Sequence, residues 1–187
     1  PATALIAQAV IQTLGALENL VKLNAAVTVN TVVTRHNIDD LEALVDMLAA
    51  LKPGKIKLSV VEPKGAALDN PDVCPPLHSS AGAIAGAIAY GRTKYPGLRF
   101  GCEGLTPCLL SDFETLNDDL ITNGFIWFQE AFEAEPSAPD SKNRSKADVC
   151  FVCAWFDRCP GVYTGYLSMA PAPAFRPDAV RTGRVRA

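Results

Sequence analysis

Apolar side chains recur every three or four residues in three stretches, which is the spacing of one face of an α-helix. The first stretch covers residues 4–22. The second follows Asn37, which occupies an N-cap position, and stops at Pro53-Gly54. The third begins after a cap at Ser79 or Ser80. The pattern therefore predicts three amphipathic helices.

Three shorter runs rich in β-branched and apolar residues alternate with these helices along the chain. Residues 27–34 are almost all β-branched, which is typical of a strand covered on both faces in a parallel sheet. Residues 56–61 and 98–102 follow the second and third helices. Alternating helices and strands predict right-handed βαβ crossovers. Because three strands cannot close a barrel, we expect residues 1–103 to be part of a larger α/β sheet.

The second half of the chain lacks this regular alternation of helices and strands. Residues 117–128 are compatible with a strand or hairpin edge, and the polar residues 133–146 predict an exposed loop. The tail beyond Pro171 is rich in proline and arginine and predicts disorder. We expect an α/β unit over residues 1–103, a cysteine-rich extension over residues 104–168 and a tail over residues 169–187.

Composition limits the possible partners and surroundings of the chain. Its 187 residues are 49% hydrophobic and 20% charged, which are ordinary values for a globular domain. A net charge of −3 offers no basic face to nucleic acid or to an anionic membrane. Neither a signal peptide nor a run of about 20 apolar residues is evident. We expect a cytoplasmic protein with no nucleic-acid or membrane partner.

Three of the six cysteines, Cys150, Cys153 and Cys159, lie within ten residues, and Pro160-Gly161 follows them. A Cys-x2-Cys pair and a Cys-Pro dipeptide are typical ligands of a four-iron cluster. The fourth ligand would be Cys108, with Cys102 as the alternative. Zinc uses the same thiolates but usually two such pairs, so a 4Fe-4S cluster is favoured and zinc stays open. Cys74 is interpreted as a loop thiol.

Two segments resemble the radical SAM superfamily. The first is Val29-Asn30-Thr-Val-Val-Thr-Arg35-His-Asn37-Ile-Asp-Asp40-Leu, and the second is the strand that ends in Glu62-Pro63-Lys64-Gly65. They are similar to the second half of the family's partial (β/α)6 barrel. The cysteine-rich extension that follows is similar to the SPASM or twitch domains that hold an auxiliary 4Fe-4S cluster.

This resemblance implies a function. The family cleaves S-adenosylmethionine to a radical that would modify a peptide or a small cofactor precursor, with ferredoxin or flavodoxin as a possible reductant. The residues that would lie near the cofactor are Asn30, Thr34, Arg35 and Gly65. Each also has a simpler explanation: hydrogen bonds to neighbouring backbone for Asn30 and Thr34, a surface position for Arg35, and a tight turn for Gly65. The auxiliary cluster would lie on Cys108, Cys150, Cys153 and Cys159.

The chain departs from the family in two respects. It has no Cys-x3-Cys-x2-Cys motif and no Gly-Gly-Glu strand. We therefore expect a C-terminal fragment that is inactive alone. The alternative is a non-catalytic α/β binding module that is stabilised by zinc or by a cluster.

Overall fold

The computed structural model describes residues 2–110, 116–118, 125–129, 132–137 and 143–169. The described helices are α1 (Ala2–Lys22), α2 (Leu41–Ala50), α3 (Ala66–Asp69), α4 (Leu77–Lys94) and α5 (Thr164–Ser168). The described strands are β1 (Thr28–Val33), β2 (Lys55–Val60), β3 (Arg99–Glu103), β4 (Phe125–Gln129), β5 (Phe132–Ser137), β6 (Arg144–Ser145) and β7 (Val162–Tyr163). Short 3-10 turns cover Ile38–Asp40, Pro71–Val73 and Asp148–Val152.

The first three strands form a parallel sheet in the order β1-β2-β3. This arrangement confirms the predicted α/β class with three parallel strands. The register aligns Asn30 with Lys57 and Lys57 with Gly101, so these residues share one face of the sheet. Thr31, Leu58 and Cys102 are aligned on the opposite face.

The two faces of this sheet differ in burial. On the helix-covered face, Ile56, Leu58 and Phe100 join the core with Ile84 and Ile88 of α4. On the other face, Thr28, Asn30 and Val32 of β1 are exposed, and Val32 keeps 45% of its surface. The prediction that β1 is covered on both faces is therefore wrong among the described residues. Its β-branched side chains point alternately to the helix-covered face and to the open face of the sheet.

Two predicted helix starts are also wrong. Asn37 does not cap a helix: its Oδ1 accepts a hydrogen bond from the Thr34 amide at 2.7 Å, and its Nδ2 donates to the Val32 carbonyl at 3.0 Å. It closes a turn after β1 instead. The third helix begins at Leu77, two residues before Ser79. Pro76 precedes it with φ −52°, an angle that already suits entry into a helix.

The second half of the chain contains short elements. Strands β4 and β5 pair antiparallel as a hairpin, which agrees with the predicted hairpin edge. The predicted loop over residues 133–146 is partly wrong, because β5 and β6 occupy both of its ends. Strands β6 and β7 pair antiparallel. The predicted disorder beyond Pro171 lies outside the described residues.

The short elements near the end of the chain pack onto the sheet. Val162, Tyr163 and Tyr166 belong to the same apolar core as Val60 and the helices. Gly104 permits this contact, because a Cβ there would meet the Val60 side chain and lie 2.7 Å from Cε2 of Tyr163. Gly104 also has φ +83°, which side chains rarely adopt. The boundary predicted at residue 103 therefore lies within a continuous core and stays a prediction.

Candidate functional site

The candidate site lies at the carboxyl edge of the parallel sheet. Parallel strands end on the same side, and ligands in α/β proteins commonly bind outside these ends. Thr34 and Arg35 follow β1, Glu62 follows β2, and the loop that carries Cys108 follows β3. The chain brings its candidate residues to this edge from segments far apart in sequence.

The four predicted ligands line one cavity, which we call the thiol cavity. Cys108 enters from the loop after β3, and Cys150, Cys153 and Cys159 enter from the segment between β6 and β7. The cavity has a volume of about 30 Å³. A single water needs about 10–15 Å³ on this measure, so the cavity admits a body larger than one water. Its lining is completed mainly by Thr106, Pro107, Ala147, Trp155, Phe156 and Val162.

Local backbone bonds set the positions of the three clustered cysteines. The amide of Cys153 donates to the Cys150 carbonyl at 2.9 Å, which closes one turn across the Cys-x2-Cys pair. The amide of Cys159 donates to the Trp155 carbonyl at 2.8 Å. The Gly161 amide then donates to Cys159 Sγ at 3.4 Å. Gly161 has φ +84°, and a Cβ there would meet the Ser145 carbonyl, so this turn favours glycine.

Burial controls the protonation of Cys150 and Cys159. Burial raises the pKa of Cys159 to about 11, and the neighbouring thiols of Cys108 and Cys150 act in the same direction. Burial also raises the pKa of Cys150. Both thiols are therefore protonated at neutral pH in the ligand-free chain. Because metals bind the thiolate, occupation of the cavity would release protons.

Aromatic rings and one lysine close the outer side of the thiol cavity. Lys146 Nζ lies 4.4 Å from the centre of the Phe156 ring and donates to the Phe156 carbonyl at 2.6 Å. Phe151 meets Phe156 edge to face, with ring centres 6.0 Å apart. The Arg158 guanidinium lies 5.1 Å from the centre of the Trp155 ring. Apolar walls of this kind limit solvent access to a metal site and so tune its redox potential.

The other two cysteines do not line the thiol cavity. Cys102, the alternative fourth ligand, is fully buried in β3 on the helix-covered face, opposite Leu58. Cys74 is buried beside the turn before α4, and burial raises its pKa. None of the six cysteines, all of which the structure describes, forms a disulfide bond. Cys108 is therefore the nearer candidate for a fourth ligand.

The donor set fits a thiolate-bound group, but the thiols do not form a ready ligand sphere. Among residues 2–110, 116–118 and 143–169, no three or more His, Cys, Asp or Glu side chains are grouped so that they could hold a metal ion. The Cys108 thiol instead lies 3.2 Å from the hydroxyl of Thr106. Side-chain rotation toward the cavity would therefore have to accompany the binding of a metal or cluster.

The structure separates the four residues that the family resemblance associates with a cofactor. Asn30 lies on the open sheet face, where its Oδ1 accepts a hydrogen bond from Ser59 Oγ at 2.7 Å. Thr34 belongs to the turn closed by Asn37. Arg35 is exposed, and its amide donates to the Val73 carbonyl at 3.1 Å. Gly65 has φ +55° and open space around it, as a turn residue would. None of the four lines the thiol cavity.

Ionic pairs on the open sheet face were not anticipated from the sequence. Lys57 Nζ pairs with Glu103 Oε2 at 2.6 Å, and Lys55 Nζ pairs with Asp118 Oδ1 at 2.5 Å. Each lysine is only 20% exposed. A signal was present, because alternate residues of β2 are lysines, and alternation places them on one face.

A second cavity, which we call the Glu62 cavity, lies at the end of β2. It is lined by residues of the turn after β2, of α3 and of the segment from Tyr163 to Ser168, with a volume of about 280 Å³. In the sequence, Glu62 contributed only to the family resemblance, and this cavity was not predicted. An acidic residue directly after a parallel strand was the available signal.

Comparisons with known proteins give no match. No protein-family model matches the chain, and no curated protein or solved structure matches it either. Within the described residues, every helix is too short or too polar to cross a membrane. The candidate site therefore rests on its own residues.

Proposed function

We propose that this chain is part of a radical SAM enzyme and holds an auxiliary 4Fe-4S cluster on Cys108, Cys150, Cys153 and Cys159. One observation carries the proposal: four thiols from two distant segments line the same cavity. A core thiol serves packing as a small apolar residue, and packing does not require four of them around one space. A cluster requires four thiolates.

The spacing of the cysteines favours a cluster over a structural zinc ion. Structural zinc sites usually carry two Cys-x2-4-Cys pairs. Only one Cys-x2-Cys pair is present, and Cys159-Pro160 is the dipeptide typical of cluster ligation.

The residues around the thiol cavity would support the cluster. Gly161 already donates its amide to Cys159 Sγ, and the same donor would stabilise the bound thiolate. Trp155 and Phe156 would keep water from the sulfurs. When bound, the cluster would supply electron transfer. Ferredoxin or flavodoxin is the class of reductant that we propose.

The α/β part of the chain would contribute one side of a partial (β/α)6 barrel. The open sheet face supports this proposal, because it carries polar groups where a barrel would enclose a cofactor. Asn30 and the pair Lys57–Glu103 lie on that face. Thr34, Arg35 and Gly65 lie beyond the strand ends and would border S-adenosylmethionine. Since residues 1–187 lack Cys-x3-Cys-x2-Cys, we expect them not to cleave S-adenosylmethionine by themselves.

We propose a peptide or a small cofactor precursor as substrate and the cytoplasm as location. The cytoplasm keeps thiols reduced, which the cluster ligands require. A competing α/β binding module would use the same thiols for zinc without any redox function. The two possibilities differ in the metal that the chain holds.

The test is to purify the chain without oxygen, supply iron and sulfide, and count iron and zinc. We expect four irons per chain and brown colour with absorbance near roughly 400 nm. Cys108→Ser should lower the iron content, whereas Cys102→Ser should leave it unchanged. The second variant is the matched control, because it removes a thiol outside the thiol cavity. A colourless chain with one zinc would contradict the cluster, and iron loss only in Cys102→Ser would contradict the ligand set.

A further inference from the structure

The Glu62 cavity lies on the other side of β7 from the thiol cavity. Val162 lines the thiol cavity, and the next residue, Tyr163, lines the Glu62 cavity. The volume of about 280 Å³ is close to the lower end of the ~300–1,000 Å³ typical of ligand pockets. The cavity is therefore large enough for a side chain or a small metabolite.

One oxygen of the Glu62 carboxylate lacks a hydrogen-bond donor in this cavity, while the side chain as a whole keeps 31% of its surface exposed. Its Oε1 is buried from solvent and accepts no hydrogen bond from any residue that the structure describes. Lys64 forms a loose ion pair with this oxygen, because its Nζ lies 3.8 Å from Glu62 Oε1, beyond hydrogen-bond distance. The Lys64 side chain is 62% exposed, so solvent competes for its ammonium group. A buried acceptor without a donor favours a ligand that supplies one.

The rest of the lining suits a ligand with an apolar stem. Pro63 and Leu68 offer apolar surface, while Asn143, Thr164 and Ser168 offer an amide and two hydroxyls. The Arg144 guanidinium stacks 4.2 Å from the centre of the Tyr163 ring, which lines this cavity. Arg144 also lies 3.4 Å from the Gly161 carbonyl, to which it donates. The contacts of the Arg144 guanidinium are thus with the Tyr163 ring and the Gly161 carbonyl.

The geometry points to the Glu62 cavity as a binding site for a primary amine on an aliphatic stem, such as the lysine side chain of a peptide. The ammonium group would donate to Glu62 Oε1, and the stem would lie along Leu68 and Pro63. The binding site stands on its own geometry, while its role as a substrate site rests on the proposed function. Because both cavities border β7, the bound side chain would lie one strand away from the thiol cavity.

The test uses Nα-acetyl-lysine methylamide and its norleucine analogue, which has the same stem without the amine. Each is titrated into the full chain while amide NMR shifts are followed. The lysine compound should shift the amides of Gly165 and Ser168, and the norleucine compound should bind at least tenfold more weakly. Glu62→Gln, which keeps the shape and removes the charge, should weaken lysine binding by at least tenfold.

A second variant, Lys64→Met, separates this proposal from its competitor. If Lys64 merely competes for Glu62, its loss should leave the binding of the lysine compound unchanged or tighten it. Weaker binding of the lysine compound to Lys64→Met would mean that Lys64 supports the binding instead of competing for Glu62, which overturns the proposal. Equal shifts with the norleucine compound, or unchanged affinity in Glu62→Gln, would overturn it as well.

The iron content of the same samples distinguishes the two proposals. Amine binding without iron would refute the cluster and keep the Glu62 cavity as a ligand site. Iron incorporation without amine binding would refute the amine site and keep the cluster proposal. Comparison of the reconstituted and iron-free chain therefore separates the two failures.

Discussion

The sheet region (residues 28–103) buries Ile56, Leu58 and Ile84 completely between three strands and two helices. In the cysteine region (residues 104–169), the segment from Asp148 to Cys159 buries only Cys153. The sheet region is therefore held by apolar burial, which needs no ligand. The segment of the cysteine region that carries Cys150, Cys153 and Cys159 is held by short turns. This contrast teaches that metal binding should matter for the second region and not for the first.

The largest effect is expected from a substitution that creates a cavity in the sheet region, which tests whether apolar burial holds this region. Leu58→Ala removes a fully buried side chain from the centre of β2 and should lower the free energy of unfolding by about 2–5 kcal/mol. Urea unfolding measures this change. Leu58→Met, which conserves volume, should cost less than about 1.5 kcal/mol. Equal losses in both variants would show that packing at this position does not hold the sheet region.

Removal of iron should affect the cysteine region alone. Without a cluster, amides between Asp148 and Cys159 should exchange with solvent at least about tenfold faster, because turn bonds alone then protect them. Hydrogen exchange before and after anaerobic chelation measures this effect. The β2 amides are the internal control and should not change. Faster exchange in both regions would mean that the regions do not differ in their dependence on the ligand.

A smaller effect is expected on the open face of the sheet. Lys57 and Glu103 are 20% and 33% exposed, so their ion pair is partly screened by water. Lys57→Met should lower the free energy of unfolding by at most about 1 kcal/mol, and a double-mutant cycle with Glu103→Gln isolates the pair. A loss as large as that of Leu58→Ala would erase the distinction between the two sheet faces.

The smallest effect concerns the surface contact between α2 and α4. Lys94 and Tyr95 donate to the Asp46 carboxylate and hold its pKa below the usual value of 3.8. A depressed carboxyl pKa stabilises the fold above the unfolded pKa, and this contribution is lost as the pH falls through the folded pKa. Asp46→Asn should therefore lower the thermal midpoint slightly at pH 7.

The pH dependence of the same variant provides the check. The difference in midpoint between Asp46→Asn and the unaltered chain should shrink once the pH falls below roughly 4. Thermal unfolding at pH 7 and at pH 3 measures it. A difference that stays constant with pH would show that the carboxylate charge does not act there.

Periodicity predicted the sheet region well, because helix and strand spacing are local properties of the sequence. Leu41, Val45 and Leu48 are buried at helical spacing, as their positions indicate. The bonds of Asn37 could not be predicted in this way. Its side chain can cap a helix or close a turn, and the backbone after β1 decides between them.

The cysteine region was predicted less completely. The spacing of Cys150, Cys153 and Cys159 indicated one site, since these residues are close in sequence. Cys102 lies within β3 and faces the helix-covered core, whereas Cys108 lies in the loop after β3. Spacing in the sequence does not reveal which of the two thiols lies near Cys150, Cys153 and Cys159. The Glu62 cavity depends on contacts between Pro63 and Gly165, residues that lie far apart in the chain.

Strand β7 has only two residues, and each of them faces a different cavity. A shift by one position turns every side chain of a strand to the opposite face. A single insertion between Cys159 and Val162 would therefore move an aromatic ring toward the sulfurs and an aliphatic side chain toward Glu62. The number of residues in this short connection carries as much information as their identity.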